Sequence, residues 1–136
     1  MPAANFGQSL NGITINLLVR DVRAQAAFLA QVFGCAIHRL SNDYAIAAHD
    51  GAVMQLHSDT SFANHPIFAL LPEAGTRGAG LEIRLHGADP DIACARAAEF
   101  GDAMVLAQAR DKAGHGLREA VILCPNGYAF VPSRHL

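Results

Sequence analysis

Ile13-Thr-Ile-Asn-Leu-Leu-Val-Arg-Asp21 is a β-rich run that ends on a charged pair, and the residues after it read as a helix. Asp21 offers a carboxylate to the first free backbone N–H groups of such a helix. Val22, Ala26, Leu29 and Phe33 then recur at helical spacing as one apolar stripe, and Gly34 supplies the left-handed residue that ends it. A strand followed by a helix with a single apolar stripe predicts a helix lying on a sheet. Farther on, Cys35 to Leu40, Tyr44 to Ala48 and Ala52 to His57 are short apolar-rich runs separated by turn formers at Ser41-Asn42-Asp43 and Asp50-Gly51. They read as three antiparallel strands.

The pattern then recurs. Leu81 to Leu85 reads as a strand, and Asp89-Pro90-Asp91 combines an N-cap, a proline at the first helical position and an acid in the first turn. The apolar face is Ala93, Ala97 and Phe100, and Phe100-Gly101 repeats the ending Phe33-Gly34. The two capping aspartates stand at the same interval as the two Phe-Gly endings, with a one-residue slip. Strands follow at Ala103 to Ala109, Leu117 to Leu123 and Tyr128 to Pro132, the last two joined by Pro125-Asn126-Gly127. The expected fold is α+β, with two tandem βαβββ modules in one domain: module 1 at about 13–58, a linker at about 59–79 and module 2 at about 80–133. The linker is marked by Asn64-His65-Pro66, Pro72 and Gly75 to Gly80, with Ile67 to Leu71 read as a short edge strand.

The bulk composition narrows the function classes. A chain of 136 residues with 51% apolar and 16% charged residues has enough apolar surface for a real core, which excludes disorder and leaves some surface for a partner to cover. A net charge of −2 without a basic run argues against nucleic acid, whose phosphates need clustered Lys and Arg. Cys35, Cys94 and Cys124 are odd in number and widely spaced, so they read as buried thiols rather than a disulfide or zinc framework. Neither a secretory n-region at Met1 to Gln8 nor a long apolar run is present, and the expected location is cytoplasmic.

Asn16-Leu-Leu-Val-Arg-Asp21, Phe28-Leu-Ala-Gln-Val-Phe-Gly34 and Arg118-Glu-Ala-Val-Ile-Leu-Cys-Pro-Asn-Gly-Tyr128, in that order and spacing, resemble the vicinal-oxygen-chelate superfamily of glyoxalase, bleomycin-resistance and extradiol dioxygenase proteins. The resemblance runs from about Ile13 to Ser133. It implies that the modules curl into a mixed-sheet cup with helices outside, and that the chain forms a homodimer around a small-molecule ligand. Metal-dependent relatives draw ligands from the first and fourth strands of each module. Here the corresponding positions fall on Thr14, Gln55, Gly80 (or Glu82 with a two-residue slip) and Val131. Only Gln55, with His57 beside it, and Glu82 suit a metal, whereas a catalytic divalent ion normally takes about three protein ligands.

Strand periodicity puts Asn16, Gln55, His57, Glu82 and Arg84 on the inner face, with His115 and Arg118 near the start of the penultimate strand. Arg84 or Arg118 suits a carboxylate or phosphate by bidentate bonding, and Glu82 or His57 suits proton abstraction from a carbon acid. Glu82 and Arg84 equally describe a plain ion pair on an exposed strand, and His57 a structural histidine. His38, His49, His65, His86 and His135 sit at turns, strand ends or the terminus and are set aside. Arg110 to Gly116 reads either as a mobile flap over the cup or as an ordinary solvated loop. Three functions follow: a ligand-binding or sequestering protein without the usual metal, with Asn16, Gln55, Arg84, Arg118 and His115 holding the ligand; an enzyme of the lyase, isomerase or dioxygenase kind using Glu82 and His57, or a divalent metal on Gln55, His57 and Glu82; and a structural interaction module, for which no peptide groove is evident.

Overall fold

The aspartate and glycine signals act as read. A computed structural model of the chain describes residues 1–136. The first helix is α1 (Ala3–Ser9), followed by β1 (Ile15–Val19) and α2 (Val22–Phe33). Asp21 accepts a hydrogen bond from the Ala24 N–H at 2.9 Å, and Gly34 ends α2 at a φ of 73°. Then come β2 (Ala36–His38), β3 (Tyr44–His49) and β4 (Ala52–Ser58). The second module repeats the order with β5 (Glu82–His86), α3 (Pro90–Glu99), β6 (Met104–Lys112), β7 (Leu117–Leu123) and β8 (Ala129–His135). Asp89 caps α3 through the N–H groups of Asp91 and Ile92.

The eight strands make two separate four-stranded mixed sheets of identical topology, β1-β4-β3-β2 and β5-β8-β7-β6. The first strand of each module runs parallel to its fourth, and the remaining pairs are antiparallel. β6 departs from regular pairing twice, with register shifts between Val105 and Ala107 and between Ala107 and Arg110. Of Arg110 to Gly116, expected as a flap or loop, Arg110 to Lys112 extend β6, Ala113–His115 form a tight 3-10 turn and Gly116 closes it at a φ of 69°.

One hydrophobic cluster of 24 buried residues draws on both modules. Leu17 and Val19 of β1 and Met54 and Leu56 of β4 point into it from one sheet, and Ile83, Leu85, Ala120, Ile122 and Phe130 from the other. The helix α2 is the shared partner. Its Phe28 ring meets Phe33, Phe100 and Phe130 at centroid distances of 5.3, 5.6 and 5.7 Å. Because side chains alternate along a strand, the residues between these core positions point away from the helices.

Polar joints lock the modules where the free edge of β1 would otherwise carry unpaired backbone groups. The buried Asn126 side chain accepts from the Arg20 N–H at 2.9 Å and donates to the Gln25 Oε1 at 3.0 Å, while the Tyr128 hydroxyl donates to the Leu18 carbonyl at 3.0 Å. Arg77, from the linker, donates to the same carbonyl and to both carboxylate oxygens of Asp59. Gly127 makes this joint sterically possible: its φ is 87°, and a Cβ there would lie 2.6 Å from the Thr76 Cα.

Two segments differ from expectation. Ile67 to Leu71 is no edge strand; Pro66–Leu70 forms a 3-10 helix, because Pro66 sits at its first position and His65 accepts the Ile67 N–H in a local cap. Met1 to Gln8 carried no structural reading, yet α1 forms there with no buried residue of its own.

Candidate functional site

The faces turned away from the core carry the chemistry. Asn16 pairs with Gln55 and Leu18 with His57 across β1 and β4, and Tyr44 of β3 pairs with His57. The Tyr44 hydroxyl donates to the Gln55 Oε1 at 2.7 Å, which engages the oxygen a metal would need and turns the amide nitrogen into the free donor. The His57 ring lies between Tyr44 and Phe62, at centroid distances of 5.2 and 4.8 Å. Its Nε2 is buried without a hydrogen-bond partner. Burial holds the His57 pKa below the ordinary histidine value, so the imidazole is neutral at pH 7 with an unprotonated ring nitrogen.

A pH dependence follows from that sign. The unfolded chain takes up a proton at His57 below about pH 6.5, whereas the folded chain resists until a lower pH. Stability therefore falls as pH drops through this window and levels off below the folded value. His57→Phe, which keeps a ring between Tyr44 and Phe62, is expected to flatten that fall in urea melts; an unchanged slope would contradict the assignment.

On the second sheet Glu82, Arg84 and Glu119 share the outward face. Arg84 donates to Glu119 at 2.5 Å and lies 3.4 Å from Glu82, and His115 approaches Glu119 at 3.5 Å. Burial opposes ionisation of Glu119, but the hydrogen bond and charge of Arg84, with a further contribution from His115, hold its pKa below the usual glutamate value. Arg84 is correspondingly more firmly protonated, chiefly through its hydrogen bond to Glu119. This arrangement fixes a guanidinium on a sheet face with its remaining N–H groups available to an anionic or carbonyl ligand.

Arg118 stands elsewhere. Along β7, Ala120 and Ile122 enter the core, so Arg118 shares their side, while Glu119 points outward. Its guanidinium is bound by Asp91, at 2.8 and 2.9 Å, and by Asp111 at 3.0 Å, a brace between α3, β6 and β7 rather than a ligand contact. Sequence reading missed Glu119, whose phase was available from the Ala120 and Ile122 alternation. It also missed Tyr44 and Phe62, which no local pattern distinguishes. Among the histidines set aside, His49 meets the His86 carbonyl at 2.7 Å, a tie between the two sheets, and His86 meets Ser133 at 3.2 Å across β5 and β8.

The residues of the metal set Gln55, His57 and Glu82 come from two sheets. Gln55 and His57 belong to one sheet and Glu82 to the other, and nowhere do three His, Cys, Asp or Glu side chains gather at metal-binding spacing. No cavity of the chain is lined by members of both polar sets. No helix is long and apolar enough to cross a membrane.

The paired βαβββ sheets have the fold of solved glyoxalase/bleomycin resistance protein/dioxygenase family proteins. No family model and no curated protein matches the sequence. Among solved structures, the chain is similar to a glyoxalase/bleomycin resistance protein/dioxygenase family enzyme from Burkholderia phytofirmans PsJN, with a TM-score of 0.74 and 17% identity over 90% of this chain and 97% of that one. A glyoxalase-related enzyme from Fulvimarina pelagi matches at a TM-score of 0.71 and 15% identity, covering 93% and 89% of the two chains. TioX from Micromonospora sp. ML1 matches at 0.64 and 18%, covering 93% and 100%. At these identities the likeness is one of fold.

Proposed function

We propose that the chain binds a small molecule on its outward sheet faces, in the manner of the bleomycin-resistance branch, and that two copies pair to enclose it. The observation that carries this reading is the pair of preorganised polar sets, Tyr44-Gln55-His57 with Asn16 and Glu82-Arg84-Glu119 with His115, on faces that no cavity of the single chain joins. The expected metal positions Thr14, Gly80 and Val131 offer no suitable side-chain donor, and Gln55 gives its oxygen to Tyr44. A free amide donor and a fixed guanidinium suit a polar ligand with carbonyl, carboxylate or phosphate oxygens.

The test joins sedimentation over a range of protein concentrations to a thermal-shift screen with divalent metals, glutathione adducts, catechols and aromatic drugs. A dimer is expected, together with a rise in melting temperature for an organic ligand and none for metals alone. At a hundred times its Kd, a ligand confined to the folded state adds about 2.7 kcal/mol of stability. Gln55→Ala and Arg84→Ala should each remove the shift. A strict monomer without any such shift would overturn the reading.

A second reading is an enzyme of the same fold, a lyase, isomerase or dioxygenase, with His57 or Glu82 as base. The half-buried, neutral His57, with its Nε2 lacking a partner, favours it. Turnover that requires a divalent ion and is lost in His57→Ala and Glu82→Gln would replace the binding-protein assignment.

A further inference from the structure

The helix α1 starts from the wrong side of its sheet. The chain enters β1 from Leu10 to Thr14, and β1 is one edge of the sheet β1-β4-β3-β2. The opposite end of α1 is held by Arg39, the residue after β2, the other edge: Arg39 donates to the Met1 carbonyl and its guanidinium lies 5.4 Å from the centre of the Phe6 ring. The segment from Met1 to Thr14, with α1 in it, therefore reaches from one edge strand to the other. α2 occupies the core-facing side, and Thr14 and Val53, both in phase with the outward residues, line one cavity of about 380 Å³ with Phe6, Ser9 and Leu10. The crossing thus runs over the face that carries Asn16, Gln55 and His57.

The hold on this position is slight. α1 has seven residues, none buried, and neither of its ends has a charged residue suited to the helix dipole. A helix this short does not persist in water without a surface to rest on. Arg39 itself sits at a φ of 53°, an uncommon conformation for a side chain other than glycine. The Phe6 stack and the Met1 carbonyl are the contacts that conformation secures.

We infer that α1 is a self-occupying strap, which competes with the ligand for the outward face of the first sheet and is displaced when a ligand enters. The inference rests on the binding reading above and adds its regulation: the affinity of the site is set by how firmly Phe6 and Arg39 hold the strap. A site open only part of the time binds with its affinity reduced by that fraction.

The probe is 1-anilinonaphthalene-8-sulfonate, an aromatic anion whose fluorescence rises on apolar sheet faces, titrated into the wild type, Phe6→Ala, Arg39→Ala and each of these combined with Gln55→Ala. Both residues lie outside the polar sets, and urea melts establish that each variant folds. Affinity is expected to rise about tenfold in Phe6→Ala and Arg39→Ala, the factor for a strap docked about 90% of the time, and to fall back when Gln55 is also replaced. Amide exchange in Ala3–Ser9 should accelerate in both variants. Binding that depends on Gln55 but is unchanged by Phe6→Ala and Arg39→Ala overturns the strap and leaves the ligand face standing. Binding indifferent to Gln55 in every background overturns both.

Discussion

Phe28→Ala is expected to cost about 3–5 kcal/mol and to unfold both modules in one transition. The side chain is completely buried, and its ring is shared among Phe33 of its own helix, Phe100 beyond α3 and Phe130 of β8. Truncation removes the transfer free energy of the ring and leaves a cavity between elements of different modules, which neither can fill by moving alone. Typical domains have only about 5–15 kcal/mol to lose. Calorimetry and urea melts followed by far-ultraviolet circular dichroism should show a single transition moved to lower temperature and lower denaturant. Two separated transitions, one unaffected by the substitution, would show instead that each module keeps its own core.

Arg77→Met should be the next most damaging change, at about 3 kcal/mol. Arg77 is almost wholly buried, with its side chain 3% exposed, while the side chain of Asp59 is 30% exposed. Replacing the arginine strands the Asp59 carboxylate and releases the Leu18 carbonyl from one of its two donors. Asp59→Asn with Arg77→Met removes the unpaired charge, so the double variant should recover part of the loss. The pH behaviour distinguishes this from mere packing. The Arg77 hydrogen bond and charge hold Asp59 below its usual pKa, although burial pulls the other way. The stabilisation is therefore full above about pH 4 and is lost as pH falls through the lower folded value. The gap between wild type and Arg77→Met in urea midpoints should be wide at pH 7 and narrower at pH 3. An equal gap at both would leave only volume as the cause.

Most of the architecture was legible because local chemistry and tertiary demand agree in it. Asp21 and Asp89 cap, Gly34 terminates, and the alternation along β1, β4 and β5 puts Asn16, Gln55, His57, Glu82 and Arg84 on the sheet faces turned away from the helices, the faces read from sequence as the inside of a cup. The failures fall where structure depends on something distant. The Ala3–Ser9 helix has no apolar stripe to advertise it, since it rests on a sheet that forms much later in the chain. Ile67 to Leu71 is apolar enough for a strand, but Pro66 and the His65 side chain decide its backbone locally. Arg118 was placed near the cup without fixing the phase of its strand, and the carboxylates that claim it come from α3 and β6. The partners of His57 and Arg84 are likewise contributed across strands, and a one-dimensional pattern does not reveal such neighbours.

The two breaks in β6 bear on what this protein avoids becoming. β6 is the outermost strand of its sheet and, at nine residues, the longest in the chain, with Met104 and Leu106 exposed. An uninterrupted edge of that length would template strand after strand from other copies and grow a fibril. Each register shift twists the edge and misaligns its hydrogen-bonding groups, so an incoming strand pairs for a few residues and then runs out of phase. The opposite sheet ends on β2, which at three residues is too short to serve as a template. Open-ended pairing along these two edges is thereby disfavoured, which leaves the sheet faces, where the polar groups lie, free for the pairing proposed above.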